Sequence, residues 1–365
     1  MRYLFGFLCG AALGVMPLVG CSDNGGTGGT GGSQQADGFA YVANGTSGDV
    51  SQYSIGTDGT LSPLAPATVR AGDRPFSIAV APSGTFAYVA NFDTISQYSI
   101  GTDGGLSALT PATVPAGTRT RSVTVDSQGR FAYVANSASN DVSQYSIGAD
   151  GTLSPLTPAN VAAGTGPHSV AVDPLGQFVY VANWDSSTVS QYSIGADGTL
   201  SPLTPGTVAA GNHPESVTVA PSGQFAYVAN LFSADVSQYS IGADGTLSPL
   251  APAAVDAGSD PLSIVVEPSG KFAYVANWGT HDVSQFSIGA DGSLSPLSPA
   301  TVAAGDAPVA VTVDPSGKFA YVASENDNKV SQYSIGTDGT LTPLDPDGAE
   351  AGRNPTAITT VGASR

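Results

Sequence analysis

The sequence predicts an all-β fold, a seven-bladed β-propeller of four-stranded antiparallel blades, and three observations carry that expectation. The hexapeptide FAYVAN, altered at one residue in two copies, begins at Phe39, Phe86, Phe131, Phe178, Phe225, Phe272 and Phe319, at spacings of 47, 45, 47, 47, 47 and 47 residues. An Asp-Gly pair, a strong tight-hairpin signal, follows every copy, at Asp58, Asp103, Asp150, Asp197, Asp244, Asp291 and Asp338. The first copy has no strand ahead of it, and the chain ends in Ala357 to Val361 (AITTV), a strand with no copy behind it. The two ends therefore complete one blade, and the ring closes by pairing the C-terminal strand with the N-terminal one.

Ahead of the repeats, residues 1–20 read as an export signal: Arg2 supplies a positive start, and Leu4 to Val19 form an apolar stretch interrupted by Gly14 and Pro17. The stretch ends in Leu18, Val19, Gly20 and Cys21, which resembles the bacterial lipobox. Cys21 is thus the expected lipidation site. Cys9 would leave with the signal, so the processed chain would keep no thiol for a disulfide, a metal or a nucleophile. Residues 21–38 are Gly-rich, with six Gly between Ser22 and Asp37, and read as a flexible tether. The expected location is the bacterial cell envelope, at the outer membrane or cell surface, with the lipid on Cys21 as the sole membrane contact.

Within each unit four short strands are expected: one like SVTVDP, then FAYVAN, then VSQYSI, then TLSPL. The first is built from Ser, Val, Thr and Ala, small enough for the narrow inner end of a wedge, so it belongs beside the central channel. The fourth carries a Pro in six of seven copies (Pro63, Pro155, Pro202, Pro249, Pro296, Pro343) and Ala108 in the other, which marks an outer edge. The Asp of each Asp-Gly pair reads as a turn former, because one carboxylate per turn cannot supply the roughly six to eight oxygens of a calcium site. The propeller is expected over residues 39–361, with 362–365 as a tail.

Charge narrows the partners. A net charge of −18 with three Lys in 365 residues disfavours nucleic acid and anionic membrane surfaces. No cofactor signature stands out, and a monomer is expected. In a near-perfect repeat, function must reside where the copies differ. They differ in the loop leading into the first strand and the loop between the second and third strands, which an up-and-down blade places on one face. Just before the shared small residue of the first strand stand Phe76, Arg121, His168, Glu215, Leu262, Val309 and Thr356. Three consecutive blades so bring Arg, His and Glu together.

These three suit hydrolysis: His168 as general base on water, Glu215 orienting it, and Arg121 stabilising an oxyanion. Arg74, Arg119, His213 and Asp260 occupy an adjacent register in the same loops and are candidate ligand-binding residues. Trp184 and Trp278, at the start of the other loop, are candidates for stacking on a sugar or contacting a protein. His168, His213 and Glu215 are also a conceivable metal set, but no His-x-His or HExxH spacing supports one, and no metal is expected.

The run P-x-S-V-x-V-D-P-x-G-x-F-x-Y-V-A-N, continuing through VSQYSI and ADGTLSPL, resembles the lactonase-type seven-bladed propellers, or YVTN repeats, over Phe39 to Val361. That family includes 6-phosphogluconolactonases and a muconate-cyclising enzyme. The resemblance implies chemistry by His, Arg and Glu near the channel mouth, and GPHSVAVDP looks like the family's His-containing loop at His168. Arg121 and Glu215 match by blade position and residue type. A lactone or sugar-like small molecule is the implied ligand, with an envelope protein or glycan held by the variable loops as the alternative. Export argues against a phosphorylated sugar lactone, an intracellular substrate.

Overall fold

FAYVAN has no polar face, and that decides its place: the strands Gly38–Asn44, Phe131–Asn136 and their equivalents are buried along nearly their whole length. A strand buried on both sides must be sandwiched, and here each blade is sandwiched between two others. The computed structural model describes residues 36–363 and arranges them in seven four-stranded antiparallel sheets. The signal 1–20, Cys21 and tether residues 22–35 lie outside the described residues.

In each sheet the SVTV-type strand is innermost, and the seven inner strands touch one another in sequence around the ring. The inner strand of the first blade is Pro355–Gly362, which pairs with Gly38–Asn44 in the register Phe39↔Val361 and Ala43↔Ala357. The expected closure is present. The outer strand is longer than expected, ten residues rather than five, as in Leu61–Arg70. Its pairing with Asp49–Ile55 is interrupted between Ser51 and Tyr53, beside the cis Ala65–Pro66 bond, and resumes beyond it. The Pro six residues into each outer strand, which on its own reads as a strand end, is accommodated at this irregularity.

The Gln of VSQYSI makes the irregularity tolerable. Gln52 is fully buried; its Nε2 donates to Pro66 O at 3.1 Å, and its Oε1 accepts Leu106 N of the next blade at 2.6 Å. All seven blades repeat this staple, the last through Gln332 to Leu61. Seven hydrophobic clusters fill the interfaces, one per pair of neighbours; in one of them Tyr41 and Phe39 face Ala87 and Val89, large against small. Tyr41 donates its hydroxyl to Gly104 O at 2.7 Å, and Phe39 fills the space where a Cβ on Gly104 would stand. Gly104, at φ 80°, is therefore required twice over. Asp58 folds its own turn, accepting Thr60 N at 3.0 Å and Thr60 Oγ1 at 2.7 Å, as the turn-former reading expected.

Candidate functional site

The seven variable positions sit where the chain enters the inner strands, so ring closure places them around one opening. A cavity of about 380 Å³ lies there, lined among others by Phe76, Arg121, His168, Glu215, Leu262, Val309 and Thr356, one from every blade. Each is held by a two-loop clasp within its blade. The residue three before the shared small position adopts positive φ (Arg119 58°, His213 57°, Asp260 54°), and in six blades its carbonyl accepts the first amide of the facing loop, whereas in the Phe76 blade Phe92 N donates to Asp73 O. Examples are Trp184 N to Gly166 O at 2.7 Å and Trp278 N to Asp260 O at 2.9 Å. The occurrence of Gly166 and Asn354 at this register is the sequence signal for a left-handed residue.

Inside the cavity, His168 and Glu215 are paired, with Nδ1 2.8 Å from Oε2 and side chains only 11% and 24% exposed. A carboxylate can only accept, so Nδ1 is the donor of this contact, and in the neutral imidazole that places the lone pair on Nε2. Trp184 stacks on the imidazole, 17° from parallel with centroids 5.4 Å apart. Arg121 lays its guanidinium 4.6 Å from the centroid of Phe76, and its buried Nε has no hydrogen-bond partner. Burial is the largest influence on this guanidinium and pulls its pKa down; the Glu215 charge pushes it back up, and Arg119 adds to the fall.

The remaining sequence candidates fall outside this cluster. Arg74 is exposed, its guanidinium 5.8 Å from the Phe92 ring, and Arg119 is exposed as well; neither lines the cavity. His213 meets Trp184 edge-on at 3.9 Å and approaches Phe232 at 4.4 Å, while its Nδ1 lies 2.7 Å from Asn212 Oδ1. Trp184, half-buried, packs against His168, His213 and Phe232. Trp278 keeps 39% of its surface exposed and, with Leu231, Phe232, Asp260 and Leu262, lines a second, smaller hollow. Among the described residues no three His, Cys, Asp or Glu side chains gather at metal-holding distances.

Two features went unread in the sequence. Ser77, Ser122, Ser169, Ser216 and Ser263 form an arc below the variable ring, and each Oγ accepts an inner-strand amide of the following blade, as Ser122 does from Val170 at 3.2 Å. Each hydroxyl can still donate. Being common to most copies, these Ser read as scaffold. Glu325 also reaches the cavity, tied to Trp278 Nε1 at 3.3 Å and to Asn354 Nδ2.

Residues 108–205 and 188–361 match a family described as "Lactonase, 7-bladed beta-propeller". No curated protein matches the sequence. A candidate 6-phosphogluconolactonase of Bacteroides fragilis has a similar structure, with a TM-score of 0.78 and 21% identity over 90% of this chain and 99% of that one. The periplasmic gluconolactonase of Pseudomonas aeruginosa is similar at a TM-score of 0.76 and 20% identity, over 90% and 99%. A protein from Lactobacillus plantarum gives 0.76 and 21%, over 90% and 100%.

Proposed function

Since this chain belongs to the lactonase seven-bladed β-propeller family, we propose that it hydrolyses a lactone at the mouth of its central channel. The observation that carries this reading is the 2.8 Å contact between His168 Nδ1 and Glu215 Oε2 in a cavity that Arg121 also lines. Glu215 orients the imidazole and stabilises its charge once formed. His168 Nε2 takes a proton from water as the hydroxyl adds to the ring carbonyl carbon. The carbonyl oxygen becomes an oxyanion, for which Arg121 is the cationic donor. Collapse restores the carbonyl and breaks the ring C–O bond, and His168 returns its proton to the leaving alkoxide. The product is a hydroxy acid.

The test is a lactone panel assayed on the chain from Ser22 onward, with His168→Ala beside it. A loss of about 10²–10⁴-fold in kcat is expected for a general base; unchanged turnover would remove the reading.

Envelope anchoring is part of the same proposal: Cys21 carries a lipid that holds the domain outside the cytoplasm. The fold occurs in an exported lactonase, the periplasmic gluconolactonase of Pseudomonas aeruginosa. Cys21→Ser should move the protein from the membrane fraction to the soluble one. A second reading, a non-catalytic scaffold that binds a glycan or envelope protein through the variable loops, draws on the open face of Trp278. Binding that survives His168→Ala but not Trp278→Ala favours it.

A further inference from the structure

The cavity is two-sided, and its sidedness selects among lactones. Going round the ring, Arg121, His168 and Glu215 are followed by Leu262 and Val309. Thr356 follows, its hydroxyl donating to Pro75 O at 2.8 Å. Below them the Ser arc gives way to Ala310 and Ala357 on the same side as Val309. The Arg121–Glu215 side is polar throughout, whereas the Leu262–Val309 side sets these apolar side chains beside Ser263 and beside Glu325, whose carboxylate is held by Trp278 and Asn354. The charged groups lining the cavity are one Arg against two Glu, Arg121 against Glu215 and Glu325, in a protein of net charge −18. A phosphate or carboxylate on the ligand would meet a net negative site with one cation already engaged over Phe76.

The apolar surface of Leu262 does not stop at the cavity. Leu262 lines both this cavity and the hollow formed with Leu231, Phe232, Trp278 and one carboxylate, Asp260, where Phe232 is 59% exposed and Trp278 39%. These are the largest exposed aromatic side chains among the described residues, and they stand on the Leu262 side of the site. Exposed aromatic surface continuous with a ligand cavity is binding surface for the ligand's own apolar part.

We infer that the site takes an uncharged lactone bearing an alkyl or aryl substituent, its ring beside Arg121, His168 and Glu215, and its substituent crossing Leu262 into the Leu231–Phe232–Trp278 hollow. This rests on the lactonase reading and adds the substrate class. Unsubstituted lactones forgo the apolar contacts, polyhydroxylated ones place hydroxyls against Leu262 and Val309, and phosphorylated ones add repulsion.

Initial rates with γ-butyrolactone, γ-decalactone and glucono-δ-lactone test it, together with titration of the Trp fluorescence by each. The six extra methylene-level carbons of γ-decalactone should raise kcat/KM by about tenfold or more over γ-butyrolactone even if only partly buried. Phe232→Ser and Trp278→Ala should each lower that ratio. Equal efficiency for the two γ-lactones, or preference for glucono-δ-lactone, overturns the inference while leaving the lactonase reading intact. If no lactone is hydrolysed, the lactonase reading fails and the fluorescence decides: saturable quenching by γ-decalactone alone, weakened in Phe232→Ser, supports the substituent site, and its absence overturns it.

Discussion

His168 and Glu215 occupy the same register on adjacent blades, 47 residues apart in sequence, and their side chains meet at 2.8 Å. The pairing depends on the ring geometry, because nothing local in either loop makes the contact. It orients the imidazole of His168, and the nearly parallel face of Trp184 fixes its plane. An imidazole so held needs no reorganisation before accepting a proton.

Glu215→Gln isolates the charge from the geometry. The amide oxygen can still accept from Nδ1, so the imidazole stays in place, but the imidazolium formed in the reaction loses its counter-ion. A fall of about 10²-fold in kcat with KM little changed is expected. Steady-state kinetics on any accepted lactone reads it, and a change confined to KM would assign Glu215 to ligand binding instead.

Arg121→Met should separate activity from stability. Methionine covers Phe76 nearly as well as the guanidinium stem does, while the donor to the oxyanion is gone, at about 10²–10³-fold in kcat. The thermal midpoint should hold or rise, because the substitution also removes a buried Nε that has no partner. A marked fall in the midpoint would make Arg121 a structural residue.

Nearly all of the architecture was legible because the repeat displays nearly every structural residue six or seven times. FAYVAN gave the central strands, Asp-Gly the turns, and the unmatched AITTV the closure. What stayed hidden was what a repeat disguises. Ser122, Ser169 and Ser216 are common to their blades and so resemble scaffold, yet they line the cavity. Pro66 ends a strand on local rules, and only the staple from Gln52 lets the outer strand continue past it. At the site, variation between copies located Arg121, His168 and Glu215, but not which neighbours pack together. Arg74 and Arg119 look equivalent to Asp260 in sequence, and all three are left-handed turn residues. Their side chains project to different surroundings, which only the fold determines.

Removing the closing strand tests the ring as a cooperative unit. A chain ending at Arg353 lacks Pro355–Gly362, leaving Gly38–Asn44 without its inner partner and Ile358 missing from the core between the last and first blades. Deleting one large buried apolar side chain alone costs about 2–5 kcal/mol. The truncated chain should melt far below the full one and be cut rapidly by protease; an unchanged melt would show that the blades are stable without closure.

High pH should unfold the ring through its tyrosines. Burial above all pushes Tyr53, Tyr98, Tyr145, Tyr192, Tyr239 and Tyr333 up from 10.0 to about 12, and Tyr41 and its equivalents further still. Their folded-state values lie above the unfolded one, so the fold favours neutral phenol. That stabilisation is complete below pH 10.0 and drains away as the pH climbs towards 12. Circular dichroism and phenolate absorbance should therefore change together, in one cooperative step above pH 10.0. Gradual phenolate absorbance without unfolding would contradict it.

Phe286 is the one break in the outer tyrosine set, and restoring it should stabilise the protein. In the other six blades this Tyr hydroxyl donates to a backbone carbonyl at the end of the preceding blade's outer strand, as Tyr239 does to Ala209 O and Tyr333 to Ala303 O, at 2.7 and 2.8 Å. The equivalent acceptor for residue 286 is the carbonyl of Asp256, the last residue of the strand Leu247–Asp256. Phe286 is buried to 2% exposure in the same setting as those tyrosines, so the backbone already provides the space. Phe286→Tyr adds one hydrogen bond without displacing a packed group, worth about 0.5–1.5 kcal/mol. Chemical denaturation should show the gain as a higher midpoint at unchanged slope. A lower midpoint would mean that the blade containing Phe286 has closed over the hydroxyl's place, and that its neighbours pack differently there from the other six.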